Sequence, residues 1–337
     1  MIAQDRNEPP SVSVITPIYN RAEYVRKVVD TLERQFFKDF ELILVDDGSE
    51  DDLRPAIANV ETEFPIRLIR LDRNTGAASA RNCGIENARG RYVAFLDSDD
   101  AWMPDKLLSQ FRQLEDANNR NVLVSLTRQL VIGGRTYEAP RRLLAQGDSI
   151  GEYLFRRGGI VQSSMMFMTT DLARSVRFVD GGRGHDDWSF ALRLEQAGAH
   201  FEMLPTASTI YDNAGGRVRR SPGYSQARFD WLEQWRGNLG EGPYLAARAA
   251  FVSHMGLNRS SRAFQAIGVA CLRGAVSPGR AAYYAASLVF PSFRKLGVFA
   301  KEVRLGRGSA AAKRYRESVE WRKPEKGHPS PGSVHQG

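Results

Sequence analysis

The apolar positions of the first hundred residues fall into four short, near-continuous runs: "VSVIT" (12–16), "FELILV" (40–45), "IRLIRL" (66–71) and "YVAFL" (92–96). Runs of this length without strict apolar–polar alternation mark strands covered on both faces, as in a parallel sheet. Between them the period changes to that of a helix, over 21–37, 52–63 and 76–88. In the first of these, Val25, Val28, Val29, Leu32 and Phe36 fall on one stripe that would bury against the sheet. Strand and helix alternate, which predicts an α/β fold: a mostly parallel, Rossmann-like sheet flanked by helices.

Further along, "NVLVSL" (121–126) and "VQSSMMFM" (161–168) predict strands, and "HFEMLPTASTIYD" (200–212) predicts short closing strands. The Gly- and Arg-rich connection from Gly133 to Gly159 reads as a mobile or acceptor-facing segment. From Tyr224 the pattern is helical, and after about Glu317 the chain takes on the Pro-, Gly-, Lys- and Ser-rich composition of disorder. The predicted organisation is a flexible N-terminus (1–10), a catalytic domain (11–213), a basic helical extension (214–316) and a disordered tail (317–337).

Composition narrows the class. The chain has 337 residues, 42% hydrophobic and 26% charged, enough for a large folded core. Its two cysteines, Cys83 and Cys271, fit no disulfide framework or zinc spacing. The first ten residues lack the pattern of a signal peptide, and no stretch approaches 18 apolar residues, so a cytoplasmic location is expected. Residues 1–213 carry 26 Lys and Arg against 32 Asp and Glu, whereas 214–337 carry 21 against 7. The acidic front argues against nucleic acid as a ligand, and the basic extension suits an anionic membrane surface. Within it, "GRAAYYAASLVFPSFRKLGVFAKEVRLGRG" (279–308) has the mixture of a helix lying among lipid headgroups, peripheral on the inner face of the cytoplasmic membrane, or else of helices packed on the catalytic domain.

Ligands of open parallel sheets sit beyond the carboxyl ends of the strands. There this chain places "TPIYN", "DDGS", "DRNTG" and "DSDD", so three of four strand ends carry acidic residues to one edge. Clustered carboxylates repel unless a cation sits among them, and a divalent ion is the economical answer. Asp97 and Asp99, at i and i+2, form a hard-oxygen pair for Mg²⁺ or Mn²⁺ that substrate phosphates would complete. The same residues also suit a turn before the helix that opens near Pro104, and Asp51 or Asp52 can cap the helix after "DDGS". "NTGAASARNCG" (74–84) offers first-turn amides at Gly76 to an anion and Arg81 to a diphosphate, or simply a helix that packs closely through small residues. "GHDDWSFALRL" (184–194) sets two carboxylates at a helix mouth where capping needs only one.

Taken together and in order, "SVITPIYNRAEYV", "LVDDGSEDD", "NTGAASARNCG", "YVAFLDSDDAWMPDKL" and "HDDWSFALRL" closely resemble the family 2 glycosyltransferases of the GT-A fold, over Ser11 to Asp212. The resemblance implies an inverting, metal-dependent enzyme of cell-surface polysaccharide synthesis. It would move a sugar from a nucleotide-sugar donor, a UDP-sugar first of all, to a hydroxyl of a saccharide or lipid-linked oligosaccharide. By the same resemblance Pro17, Tyr19 and Asp47 form the nucleotide pocket; Asn74, Gly76 and Arg81 of "NTGAASARNCG", read from the residues themselves, would add contacts to the donor. Asp97 and Asp99 bracket the ribose and the metal-bound diphosphate, with Asp99 first as direct metal ligand. Asp187 is the catalytic base. Asp186, where family members commonly carry Glu, is its helper or cap. Apart from the resemblance, His185 could bind the acceptor or simply hydrogen-bond beside the acidic pair, Trp188 could stack on an acceptor sugar or anchor the helix, and Arg217, Arg219 and Arg220 could close over the diphosphate or stand as solvated charge. Two rivals remain: a catalytically silent nucleotide-sugar-binding scaffold, and a sugar nucleotidyltransferase, whose Gly-rich, Lys-containing loop is missing from "VITPIYNRAEYV".

Overall fold

The computed structural model describes residues 8–58, 60–117, 123–132, 137–145, 147–180, 185–212, 224–255 and 261–290. The four apolar runs form strands β1 (Val12–Ile18), β2 (Phe40–Asp46), β3 (Ile66–Arg70) and β4 (Tyr92–Phe95), parallel and ordered β3-β2-β1-β4. Successive side chains go to opposite faces. Val12, Val14, Leu42 and Leu44 enter one core, and Ile15, Ile43 and Val45 the other. Helix α1 (Val25–Glu33) buries Val25, Val28, Val29 and Leu32 as the stripe predicts. It ends at Glu33, however, because the amides of Gln35 and Phe36 turn to the carbonyls of Leu32 and Pro104. Phe36 is therefore exposed, and Phe37 packs on Phe111 instead.

The predicted helix over 52–63 shortens to α2 (Arg54–Ala58), with the Asp52 carboxylate accepting from the Arg54 amide. The chain then turns so that Phe64 can bury against Phe40. Helix α3 (Ala77–Asn87) lies on β1 and β2, and a Cβ at Gly84 would come within 2.3 Å of Ile15. The small residues of "NTGAASARNCG" thus serve close packing.

The second half adds β5 (Ala101–Trp102), α4 (Lys106–Asp116), β6 (Leu123–Ile132), β7 (Tyr137–Ala139), β8 (Met166–Thr169), α5 (Thr170–Val176), α6 (Asp186–Gln196) and β9 (His200–Asp212). The sheet continues as β4-β8-β6-β9-β5 with β7 on β6, and is mixed: β8 runs antiparallel to both β4 and β6, while β9 is parallel to β6. The expected short closing strands are one 13-residue strand, whose ladder with β6 shifts register around Arg128. The connection expected to be mobile or acceptor-facing is largely structural where it is described. Ile150, Tyr153, Leu154 and Phe155 are buried, and apolar burial of that kind fixes a segment in place.

Beyond residue 223 come α7 (Tyr224–Gln234), α8 (Arg236–Leu239), α9 (Glu241–Met255), α10 (Ser261–Leu272) and α11 (Pro278–Val289). They are not a loose appendage. Trp231, Trp235, Phe251, Ile267 and Leu288 belong to the same continuous core as Ile15, Phe95 and Phe190. No helix among the described residues is long and apolar enough to cross a membrane. The N-terminal residues 1–7, the segment with Arg217, Arg219 and Arg220, and the chain from 291, including the predicted tail, lie outside the described residues.

At the start of α4, Lys106 is fully buried, 3.9 Å above the Trp102 ring, with Nζ donating to Gln110 Oε1. Burial pushes its amine well below the usual lysine range. The folded state then binds fewer protons here than the unfolded chain, so this site's contribution to stability rises with pH up to the unfolded lysine value. In paired urea titrations, the stability of wild type relative to Lys106→Met should increase from pH 7 toward pH 10.

Candidate active site

Strand order reverses direction between β1 and β4, so the crevice beyond their carboxyl ends is the place an open sheet offers a ligand. Pro17 lies past the β1–β4 ladder, which stops at Ile15, so its missing amide hydrogen costs no bond on that side. Tyr19 follows, exposed. Asn20 is left-handed (φ 49°) and ties the loop down: its amide donates to Ser49 Oγ, and its side chain accepts from the Glu50 amide. Arg21 then reaches across to the turn after β4, 3.2 Å from both Asp99 Oδ2 and Ser98 Oγ. Lys27 Nζ donates to the Asp99 carbonyl.

The acidic pair after β2 splits its duties. Asp46 accepts from the Ser49 amide and pairs with Arg70. Asp47 turns to the loop before α3, where Oδ1 accepts from the amide and hydroxyl of Thr75, and Oδ2 from the Gly76 amide at 2.8 Å. The first-turn amide expected to face an anion is thus committed inside the protein, and Asn74 stands exposed on the loop that Asp47 organises. Gly48 makes this approach possible: it is left-handed (φ 70°), and a Cβ there would lie 2.5 Å from the Arg73 backbone.

The central cluster joins elements far apart in sequence. Arg81, buried on α3, donates from Nη2 to Asp97 Oδ1 at 2.5 Å, with its guanidinium 5.3 Å from the Phe178 ring. Burial opposes its charge, yet Asp97, Asp187 and Asp186 together outweigh burial and hold it firmly protonated. Because β8 runs antiparallel to β4, the turn that precedes it, Ser163–Met165, falls beside Asp97. Ser163 Oγ lies 3.4 and 3.5 Å from the two Asp97 oxygens and also hydrogen-bonds Asp187. Ser164 Oγ accepts from the Asp97 amide.

Asp187 is in the first turn of α6, which is held by Phe190 stacked on Phe178 and edge-on to Phe95. Burial pushes its carboxyl up to about 6, reinforced by Asp97 and Asp186 and restrained by Arg81 and Ser163. Its Oδ1 is buried and has no hydrogen-bond partner among the described residues. Asp100 is driven well above the carboxylate range, first by burial and then by Asp97, against a hydrogen bond from Ser164.

Beside this cluster His185, left-handed at φ 64°, stacks on Trp188 with ring centroids 4.2 Å apart. Phe155, Trp231 and Phe251 pack around the pair, so Trp188 anchors α6 as well as bordering the site. The predicted residues Arg81, Asp97, Asp186 and Asp187 meet in one cluster, with Asp99 on the same turn as Asp97. Sequence reasoning missed Ser163, Ser164 and Arg21, whose residue types carry no signal until β8 and β1 are placed.

The cations that quench the acidic edge are the chain's own: Arg81 at Asp97, Arg21 at Asp99 and Arg70 at Asp46. Repulsion alone therefore does not demand a metal. Among the described residues no three His, Cys, Asp or Glu side chains come together as a cation site. The donor set of Asp97 and Asp99, both partly exposed, fits a hard divalent ion whose other positions are filled by phosphate oxygens and water.

The same fold is found in a crystal structure of S. aureus TarS 1–349 in complex with UDP-GlcNAc, at a TM-score of 0.57 and 19% identity over 88% of this chain and 93% of that one. It is the GT-A fold, a sheet flanked by helices. The model of glycosyl transferase family 2 matches residues 13–172. The amylovoran biosynthesis glycosyltransferase AmsB of Erwinia amylovora is 33% identical over 238 residues, 68% of this chain and 79% of its own. The putative teichuronic acid biosynthesis glycosyltransferase TuaG of Bacillus subtilis (strain 168) is 44% identical over 122 residues, 36% of this chain and 47% of its own. The chain belongs to glycosyl transferase family 2.

Removing the buried guanidinium leaves clustered carboxylates without their partner. Arg81→Met should cost about 3 kcal/mol in urea unfolding at pH 8. The loss should shrink at pH 5, where Asp187 takes up a proton and the mutual repulsion falls.

Proposed function

We propose that this protein moves a sugar from a UDP-sugar donor to a hydroxyl of a saccharide acceptor, inverting the anomeric carbon, in the assembly of a cell-surface polysaccharide. The observation that carries this reading is Asp187: a carboxylate with a buried oxygen that no donor among the described residues engages, pushed up to about 6, and joined to Asp97 through Ser163 and Arg81. A general base needs an oxygen not committed to a structural donor and a proton affinity near its working pH. Asp187 has both.

As the acceptor oxygen bonds to the anomeric carbon, its proton passes to Asp187 Oδ1. The bond from that carbon to the donor diphosphate breaks, and the electron pair leaves with the diphosphate. A single displacement of this kind inverts configuration, by the logic of one-step glycosidases. Asp97 and Asp99 would hold Mg²⁺ or Mn²⁺, which when bound offsets the charge developing on the diphosphate. Arg81 keeps Asp97 in position and restrains the basicity of Asp187. Asp47 fixes the Asn74–Gly76 loop, which with Pro17 and Tyr19 receives the nucleotide. Asp186, in the first turn of α6 behind the N-cap His185 rather than at the cap itself, assists as a second carboxylate, while His185 and Trp188 border the acceptor.

The named pathways of AmsB and TuaG support a polysaccharide product, and the UDP-GlcNAc bound by TarS supports the donor class. The excess of 21 basic over 7 acidic residues in 214–337 supports a lipid-linked acceptor and a peripheral position on the inner face of the cytoplasmic membrane.

Three outcomes are expected. Asp187→Asn should lower transfer and background donor hydrolysis by at least about a hundredfold while UDP binding is unchanged, and equal turnover in variant and wild type would leave only a binding scaffold. The wild-type rate should climb as pH rises through about 6, where Asp187 loses its proton, and Asp187→Asn should lack that limb. In thermal-shift assays, UDP with Mn²⁺ should stabilise wild type more than UDP with EDTA, and Asp99→Asn should lose the difference.

A further inference from the structure

Between Glu241 and Glu302 the sequence contains no Asp or Glu, but eight Lys and Arg. Helices α10 and α11 fall in this stretch and pack side by side over α9, each burying one face: Ala263, Ala266, Ile267 and Ala270 from α10, and Ala281, Tyr284 and Leu288 from α11. Their outward side is unusually apolar. Leu272 is 88% exposed, Phe290 55%, and Phe264 and Val269 38% each. On α10, Phe264, Gly268 and Leu272 recur every four residues and share one face. Arg262 and Arg273 flank that row, both exposed, Arg273 3.5 Å from Glu241 at the start of α9.

We infer that the outward face of α10 and α11 docks on an anionic lipid bilayer, with Phe264, Val269 and Leu272 entering the headgroup boundary and Arg262 and Arg273 meeting lipid phosphates. The inference rests on the membrane-peripheral part of the proposed function and is independent of its chemistry. Large apolar side chains exposed beside cations, with no carboxylate in the segment, match a surface that is apolar inside and negative at its rim. A second copy of the chain fits less well, since the same face of its α10 and α11 would set arginine against arginine. Docking here would hold the catalytic domain, whose core these helices complete, at the leaflet where a lipid-linked acceptor resides.

Full-length protein should be tested for co-sedimentation with phosphatidylcholine vesicles and with vesicles containing about one third phosphatidylglycerol. Wild type should partition to the anionic vesicles only. Phe264→Ser with Leu272→Ser, and separately Arg262→Glu with Arg273→Glu, should each weaken that partition about tenfold while keeping the wild-type melting temperature and donor hydrolysis. If wild type binds and both variants bind equally well, the membrane reading stands but this surface is wrong. If wild type ignores anionic vesicles, or elutes as a dimer that the variants convert to monomer without vesicle binding, the inference is overturned. Metal-dependent donor hydrolysis by wild type, measured in the same preparations, tests the catalytic reading separately.

Discussion

Arg81 must keep its charge where little water reaches, and it can do so only because Asp97, Asp187 and Asp186 converge on it from the end of β4 and the mouth of α6. The dependence is mutual. Without the guanidinium those carboxylates would repel, and two elements some ninety residues apart in sequence would have no reason to meet. Much else follows from holding this cluster still. Phe95, Phe178 and Phe190 clamp α6, Ser163 bridges Asp97 and Asp187, and Gln110, Trp102 and Thr209 hold the carbonyls of the Ser163–Met165 turn from below.

Charge at the strand ends is therefore organised in two tiers. Buried arginine neutralises the inner carboxylates permanently, and the partly exposed Arg21–Asp99 pair at the rim is a contact that a ligand can compete for at low energetic cost. Such an arrangement lets an acidic site persist folded on the chain's own charges. Acids counted at the sheet edge overstate the repulsion there, because the fold brings Arg21, Arg70 and Arg81 to them from other parts of the chain.

The parallel half of the sheet was legible because its strands are apolar runs and its helices have a clear stripe. The acidic residues after β2 and β4 and at the start of α6 were legible because strand ends and helix starts are read locally. What escaped depended on partners distant in sequence. Phe36 continued a helical period, but the backbone left the helix at Glu33 to bond Pro104. Ser163 and Ser164 look like ordinary strand residues until the antiparallel β8 sets them beside Asp97. Residues 148–156 sit in a Gly- and Arg-rich context, and only the packing of α9 reveals Tyr153 and Phe155 as core. Lys106 carries no sign of burial in a sequence where lysine usually means surface.

The shared core also bears on how this chain could be cut or recombined. Trp231 donates from its indole nitrogen to Ser189 on α6, and Phe251 lies against His185 and Trp188. A fragment ending near residue 213 would bare the back of the very helix that carries Asp187, wetting an aromatic wall that is now dry. Grafting a foreign tail onto this domain would require matching those aromatic seats, so the C-terminal helices and the rigidity of α6 are inherited together rather than as interchangeable parts.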